Sequence, residues 1–205
     1  MIDLYTWTTP NGRKVSIALE ELGLDYEVHP IDIGKDEQFA PDFLKISPNN
    51  KIPAIVERDT GFHLMESGAI LLWLAEREGK LIENRWVVIE WLMWQMGGAG
   101  PMLGQAHHFL RFNPGKAPYA EDRYGTEAKR LYGVLDRRLE GREFIADSYS
   151  IADIATWPWI SRFEWQGIDM NEFPNVRDWY CRIAARPAVQ RGYDQPRKTG
   201  EIPLP

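Results

Sequence analysis

The sequence predicts an α/β domain followed by an all-helical domain. Strand and helix patterns alternate over about the first 80 residues, whereas helical patterns alone fill most of the remainder of the 205-residue chain. A lasting change in hydrophobic period marks a change of architecture, and the length suits one large domain or two small ones. We therefore expect domains at residues 1–80 and 85–205.

The first three elements are predicted to form a βαβ unit. Residues 2–6 have the β-branched and aromatic content of a strand, and the sequence TPNG after them is typical of a turn. In residues 13–22, apolar side chains recur every three or four positions, which indicates a helix, and Gly23 suits the left-handed residue that ends one. Residues 26–33 follow as a second strand. Ligands gather at the carboxyl ends of such parallel strands.

The remaining elements complete the order β-α-β-α-β-β-α before the purely helical part. A short helix is predicted at 41–47, a strand from residue 53, a hairpin turn at 59–61 and a helix at 66–79. Helical patterns then follow at 85–95, 119–139, 150–163 and 175–185. Ser150 and Asp153 form an S-x-x-D start signal, in which each side chain can bond a free amide of the first turn.

Composition and charge limit the classes of function. Apolar residues make up 44% of the chain, and 24 basic against 30 acidic residues give a net charge of −6. A chain of this composition folds around an apolar core and has no basic surface to attract nucleic acid or anionic lipid. No uncharged apolar run approaches the ~20 residues of a membrane span. We expect neither a nucleic-acid nor a membrane partner.

Cysteine and histidine usage limits the chemistry further. Cys181 is the only cysteine, so an intrachain disulfide, a CxxC pair and a cysteine zinc site are all excluded. His107 and His108 are adjacent and would point about 100° apart on a helix, which is a poor arrangement for metal binding. We expect no metal site, a reducing cytoplasmic location, and Cys181 buried as a small apolar side chain.

Four local motifs connect the chain to a known family. They are TPNGRK at the first turn, PNNKIPAI before the third strand, MESGAILLWLA at the next helix and YSIADIATWPW in the second half. Together with the element order they resemble the glutathione transferase family, in which a thioredoxin-like domain precedes a helical domain. PNNKIPAI with GGAGPMLGQAHHF resembles the bacterial Nu class, whose members are similar to glutathione-dependent disulfide reductases that lack a catalytic cysteine.

The resemblance implies a glutathione site at two points of the first domain. Ile52 precedes Pro53 where thioredoxin-like folds have a cis-proline, and Ile52 would pair with the cysteinyl backbone of glutathione; a trans proline opening a strand is the alternative. Glu66 and Ser67 lie at a helix start, where free amides and the helix dipole favour an anion, here the γ-glutamyl carboxylate. Ordinary helix capping is the alternative for this pair.

Three further polar residues are candidates for holding glutathione. Gln38 and Lys51 lie on loops beside the predicted site and would hold the glycyl end or the peptide backbone, unless they are simply solvated. Arg130, in the helix predicted at 119–139, matches an arginine that the resemblance places near a second glutathione. A solvated helix face is its alternative.

The catalytic position lacks the usual residue types. Conventional members of the family use Tyr, Ser or Cys after the first strand to stabilise the glutathione thiolate. None of these occurs between Trp7 and Gly12. Alignment on the proline favours Thr8, whereas the Nu-class resemblance favours Thr9 and Asn11, which we take as the catalytic candidates. Helix capping is again the alternative.

The predicted function is glutathione-dependent disulfide reduction, and reduction of peroxides is a related possibility. Two glutathiones would supply both sulfurs, or glutathione disulfide would bind as product, and the protein would supply orientation. Gln105, His107 and Phe109 are expected to line the second-substrate site. A conventional transferase that conjugates or cleaves electrophiles such as aryl ethers is the alternative, and a non-catalytic binding module is a third. The resemblance also implies a homodimer with twofold symmetry.

Overall fold

One four-stranded sheet organises the first part of the chain. The computed structural model describes all 205 residues. Its strands are β1 (Ile2–Thr6), β2 (Tyr26–Pro30), β3 (Ala54–Glu57) and β4 (His63–Met65), in the order β2-β1-β3-β4. β1 runs parallel to β2, with Ile2 opposite Tyr26, and antiparallel to β3, with Ile2 opposite Glu57. The mixed sheet and its βαβ start confirm the predicted thioredoxin-like domain.

Three helices accompany this sheet: α1 (Pro10–Leu22), α2 (Pro41–Ile46) and α3 (Ser67–Glu78). α1 begins three residues before the predicted start because Thr9 caps it and proline is well suited to the first helical position. Gly23 ends α1 with φ 67°, as predicted. Short 3₁₀ helices at Ile33–Lys35 and Glu37–Phe39 replace the last part of the predicted second strand and the loop after it.

Six helices follow, and they confirm the predicted helical second half. They are α4 (Arg85–Trp94), α5 (Gly100–Ala106), α6 (Pro118–Leu139), α7 (Ile151–Ile160), α8 (Pro174–Ala184) and α9 (Pro187–Tyr193). Short 3₁₀ helices lie at Phe163–Gln166 and Met170–Glu172. The Ser150–Asp153 signal at the start of α7 is a complete capping box, as the sequence predicts.

The motif GGAGPMLGQAHHF, at residues 97–109, lies in a helical segment that leaves the α-helical form at both of its ends. A π-helical segment at Gln95–Ala99 connects α4 to α5, and a second one at His107–Phe112 continues α5, so that the helical backbone is uninterrupted. Two of its glycines, Gly100 and Gly104, serve close packing. A Cβ added to Gly104 would lie 3.2 Å from the Trp159 ring, and one on Gly100 would lie 3.3 Å from its indole nitrogen. Glycine at both positions lets α5 approach α7 closely.

Packing divides the chain into two units. One comprises Met1–Lys80 with Ala185–Ile202, and the other Leu81–Ala184 with Pro203–Pro205. The sequence-based boundaries, 1–80 and 85–205, remain predictions about domains; the packing units differ from them in assigning 185–202 to the first unit. None of the helices combines the length and the apolar character that crossing a membrane requires.

The expected burial of Cys181 is also wrong. The buried face of α8 consists of Val176, Trp179, Tyr180, Ile183 and Ala184. Cys181 lies between Tyr180 and Ile183 in the sequence but off this face, and it is exposed. Partial burial, together with the nearby Asp178 charge, raises the pKa of its thiol. A thiol with a raised pKa is a poor nucleophile at neutral pH.

Candidate functional site

The turn between β1 and α1 brings the catalytic candidates to a helix start. The Thr9 hydroxyl oxygen accepts a hydrogen bond from the Gly12 amide at 3.1 Å, and the Thr9 amide donates to the Trp7 carbonyl at 2.7 Å. A hydroxyl that accepts one hydrogen bond still has its own O–H to donate. A Cβ on Gly12 would collide with the Trp7 carbonyl oxygen, so only glycine allows this turn. Thr8 precedes the cap.

Asn11 lies in the first turn of α1, half-buried beside Pro10. The first amides of a helix have no partner four residues earlier, and they carry the positive end of the helix dipole. The start of α1 therefore favours an anion, and Thr9 and Asn11 are polar side chains beside it. A thiolate is such an anion, and this helix start could hold it without a charged side chain. The choice among Thr8, Thr9 and Asn11 stays a prediction.

The loop before β3 has the expected proline geometry. The Ile52–Pro53 peptide bond is cis, which confirms the cis alternative over the trans one. Pro53 is buried and Ile52 is half-buried. Ile52 precedes the β3 ladder, and its amide and carbonyl are not used in the turns and caps of the chain. Both groups are therefore available for antiparallel pairing with an extended peptide ligand.

The start of α3 is strained at Glu66 and buried at Ser67. Glu66 has φ 71° and ψ 112°, a conformation that costs a non-glycine residue about 1–3 kcal/mol and that clusters at ligand clamps. Its side chain is exposed, whereas Ser67 is 4% exposed. The first amides of this 12-residue helix point past Ser67. The arrangement suits a ligand with a carboxylate at the amides and an ammonium at Glu66.

Lys14 is a residue of this site that the sequence analysis missed. Its side chain is 1% exposed, and its ammonium nitrogen lies 3.4 Å from the Ser67 hydroxyl oxygen. Burial lowers the pKa of Lys14 to about 7, against the opposing effect of the Glu66 carboxylate. A sequence signal was present: Lys14 stands four residues before Ala18 and eight before Leu22, which places it on the apolar stripe of α1.

Two polar residues before Ile52 in the sequence carry buried acceptors: Gln38, which lies in the 3₁₀ helix Glu37–Phe39 and not in the predicted loop, and Asn50. Gln38 donates to Asp36 at 3.4 Å, and its side-chain oxygen is buried without a partner. The Asn50 side-chain oxygen is likewise buried without a partner, and Asn50 adopts φ 54°. Buried acceptors are nearly always satisfied in folded proteins, so these two fit a ligand that donates hydrogen bonds. Lys51 is exposed. Asn50 was not predicted, although asparagine tolerates a left-handed turn well.

The helical unit contains a cavity of about 620 Å³. Its lining mixes aromatic, acidic and basic side chains: Gly98, Met102, Tyr119, Asp122, Arg123, Tyr124, Thr126 and Glu127. Arg130 lies one turn from Glu127 and binds it through two hydrogen bonds of 2.7 Å each, which raises the pKa of the arginine. Arg130 is 58% exposed, so its guanidinium remains accessible.

The three residues predicted to line the second-substrate site, Gln105, His107 and Phe109, have different surroundings in the structure. Phe109 stacks on Tyr124, with ring centroids 5.5 Å apart, and so supports the cavity lining from behind. His107 is 6% exposed and packs between Trp159 and Trp165, so it is part of the core and not an exposed wall. Gln105 is exposed.

One cluster of potential metal ligands lies on the sheet, and its geometry suits an ion-pair network. Oxygen or nitrogen atoms of Asp3, Glu27 and His29 lie within 4.8 Å of one another. Arg58, however, binds both carboxylates, and its hydrogen bonds lower the pKa of Asp3. The guanidinium therefore already binds both carboxylates, and a cation would have to displace it.

Comparison with known proteins gives consistent results over the whole chain. The N-terminal domain of the glutathione S-transferase family matches residues 4–83, and its C-terminal domain matches residues 101–187. The Escherichia coli (strain K12) disulfide-bond oxidoreductase YfcG is 51% identical over 199 residues, covering 92% of this chain and 93% of YfcG. YghU, a second disulfide-bond oxidoreductase of that organism, is 38% identical, covering 98% of this chain and 77% of its own.

Solved structures agree in both fold and ligand. A Pseudomonas putida glutathione transferase with one glutathione disulfide per subunit is 44% identical, with a TM-score of 0.89, over 95% of this chain and 91% of its own. A Burkholderia graminis glutathione transferase with two glutathiones per subunit is 46% identical, with a TM-score of 0.88, over 97% and 89%. The sequence resemblance is confirmed: this chain belongs to the glutathione S-transferase family.

Proposed function

We propose that this protein is an enzyme that reduces disulfides with glutathione and uses no cysteine of its own. The observation that carries this proposal is the β1–α1 turn, where Thr9 and Asn11 offer neutral donors at a helix start. The only cysteine, Cys181, lies on α8 with a raised thiol pKa. The names of the E. coli relatives YfcG and YghU support the same reaction.

Glutathione would bind the first unit through its backbone and both ends. Ile52 would pair with the cysteinyl amide and carbonyl, while Glu66 and Ser67 would hold the γ-glutamyl ammonium and carboxylate. Gln38 and Lys51 would hold the glycyl end, Lys51 through its exposed ammonium. The buried side-chain oxygen of Gln38 supports a contact with the peptide backbone at this end, since it needs a donor such as the glycyl N–H and not the carboxylate.

The reaction would proceed by two thiol–disulfide exchanges. The thiolate of the first glutathione, held by Thr9 and Asn11, attacks one sulfur of the substrate disulfide and displaces the other as a thiolate, which takes up a proton. The thiolate of a second glutathione then attacks the glutathione sulfur of the mixed disulfide. Glutathione disulfide and a second substrate thiol are released, so two glutathiones are oxidised for each disulfide reduced.

Arg130 is our candidate for holding a carboxylate of the second glutathione. Its guanidinium is accessible, and an arginine fork matches a carboxylate in geometry and charge. The ion pair between Arg130 and Glu127 would have to break, or the guanidinium would have to bind Glu127 and the ligand at the same time. The glutathione disulfide in the P. putida structure and the two glutathiones in the B. graminis structure support two glutathione positions in this family.

Conjugation of aromatic electrophiles is the second candidate function. It is favoured by the cavity of the helical unit, where Tyr119 and Tyr124 offer aromatic surface. The same glutathione thiolate would attack carbon in place of sulfur, and peroxides would be attacked at oxygen.

We further propose that the protein is a homodimer, which light scattering of the purified protein would test. We also propose that it works in the cytoplasm, where its free thiol stays reduced.

A coupled assay tests the main proposal. Glutathione reductase and NADPH would report glutathione disulfide formed from glutathione and 2-hydroxyethyl disulfide, for wild type, Thr9→Ala, Asn11→Ala and Cys181→Ala. We expect turnover that survives in Cys181→Ala and falls at least tenfold in Thr9→Ala or Asn11→Ala. Absence of turnover with glutathione still bound would refute the reductase and direct attention to electrophiles. Absence of binding would favour a non-catalytic module.

A further inference from the structure

Lys14 is a buried lysine in contact with the first residue of α3. It lies in α1, is 1% exposed, and places its nitrogen 3.4 Å from the Ser67 hydroxyl oxygen. A buried lysine is costly because its charge loses hydration, and an apolar side chain of similar length would fill the same space without that cost. The position of the ammonium at a ligand-binding helix start therefore calls for a functional explanation.

The chemistry of the ammonium restricts the Ser67 hydroxyl. A protonated lysine has three donors and no acceptor, so the Ser67 oxygen can only accept in this contact. The hydroxyl hydrogen must then point to another acceptor. The γ-glutamyl carboxylate, which the proposed function places at Ser67, is such an acceptor.

We propose that Lys14 is a positioning residue that turns the Ser67 hydroxyl toward the γ-glutamyl carboxylate and gains a proton when glutathione binds. The inference rests on the proposed function, because it requires that carboxylate at the start of α3. Lys14 acts through Ser67 and by its charge, so it stabilises the bound ligand without touching the reacting sulfur.

The proton uptake follows from the charges around Lys14. Burial leaves its pKa at about 7, with Glu66 as the one carboxylate that raises it. A bound carboxylate adds a second negative charge nearby and raises that pKa further. At pH 7.5 the free protein is therefore only partly protonated at Lys14, and the complex is largely protonated. A neutral amine would accept from Ser67 and turn its hydroxyl away from the ligand.

Other charged groups on the elements packed against α1 have partners of their own. At the far end of α3, Arg77 pairs with Glu57 and Glu78, and Glu76 lies in the same turn. On α9, Arg191 pairs with Glu20, and the Tyr193 ring lies under Arg13. Glu66 is therefore the charged side chain that opposes the effect of burial on the pKa of Lys14, and the carboxylate of a bound ligand would add to its effect.

Calorimetry with S-methylglutathione tests the proposal. The methylated sulfur cannot release a proton, so titrations at pH 7.5 in phosphate and in Tris, which differ in ionisation enthalpy, report proton uptake by the protein. We expect about half a proton per ligand for wild type. Lys14→Arg should bind within threefold of wild type without that uptake, because arginine stays charged. Lys14→Met should bind about tenfold more weakly, also without it.

Lys45→Met is the matched control, since Lys45 is exposed and pairs only with Asp42. It should bind and take up protons as wild type does. Thermal unfolding of each variant checks that it folds. Wild type that binds S-methylglutathione without proton uptake, or uptake that persists in Lys14→Met, would overturn the inference while leaving the proposed function intact. Wild type that fails to bind would overturn both.

Discussion

The guanidinium of Arg13 lies 3.5 Å from the ring centroid of Tyr193 and donates to the Tyr193 carbonyl at 3.0 Å. This contact joins α9 to α1, which Thr9 caps and which carries Asn11 in its first turn. Ser16 adds a hydrogen bond of 2.7 Å to the carbonyl of Gly192. The C-terminal segment therefore fixes the helix whose start forms the proposed thiolate site.

Gly192→Ala should destabilise the protein by about 2 kcal/mol or more. A Cβ at Gly192 would lie 2.6 Å from the Ile17 Cα and 2.7 Å from its nitrogen, so backbone would have to move. Gly125→Ala is the control, because its Cβ would meet only the Leu110 side chain at 3.9 Å; it should be neutral or stabilising by up to about 1 kcal/mol. Urea unfolding of both variants measures the difference, and equal stabilities would contradict the close packing of α1 and α9.

Asp153→Ala should cost about 3–5 kcal/mol of unfolding free energy. The buried carboxylate accepts from the Ile145 and Ser150 amides and from the Trp179 indole, and its loss would leave all three donors buried without a partner. Ser150→Ala removes one hydroxyl of the same capping box and should cost about 0.5–2 kcal/mol. Guanidinium unfolding measures both. A smaller loss for Asp153→Ala than for Ser150→Ala would refute this ranking.

His107 should give the protein an acid-sensitive stability. Its Nε2 lies 2.9 Å from the Gln166 amide nitrogen, whose oxygen accepts from Tyr132, so Nε2 is the acceptor and the ring is neutral. Burial, with help from the Arg162 charge, lowers the pKa of His107 to about 4. Because the unfolded chain binds this proton near pH 6.5, the stabilisation is complete above that pH and is lost as the pH falls toward 4.

His107→Asn tests this linkage. The stability difference between wild type and His107→Asn should shrink by about 2 kcal/mol between pH 7.5 and pH 5, because only wild type loses the histidine contribution. Leu103→Ala, which truncates a buried apolar side chain in α5, should lose the same amount at both pH values. A pH-independent difference for His107→Asn would contradict the lowered pKa.

The sequence predicted the fold where local patterns decide it. β1, the αL ending at Gly23 and the capping box at Ser150 each depend on a few neighbouring residues, and each is present. The Ile52–Pro53 geometry came from motif resemblance, since a proline alone does not specify a cis bond. Helical spacing predicted the start of α3 near Glu66 and Ser67, and the resemblance added only their proposed role toward glutathione.

The failures concern contacts between elements distant in sequence. The contact of Gly104 with the Trp159 ring and that of Lys14 with Ser67 each join residues more than 50 positions apart, which local patterns do not reveal. Helical periodicity alone would have corrected the predicted burial of Cys181. Trp179, Tyr180 and Ile183 lie on one face of α8, and Cys181 lies off that face. Binding of a second glutathione at Arg130 cannot be derived from an exposed arginine in a long helix.

Arg130→Met should weaken binding of glutathione disulfide about tenfold and leave S-methylglutathione binding unchanged. The disulfide occupies both proposed glutathione positions, whereas the methylated monomer needs only the first, so loss of a guanidinium–carboxylate contact affects the disulfide alone. Arg142→Met is the control, since Arg142 is an exposed arginine whose partner is Asp147 and should affect neither ligand. Calorimetric titration of both ligands into each variant measures the effect. Equal weakening of the two ligands would place Arg130 at the first glutathione, and no weakening of either would remove Arg130 from the site.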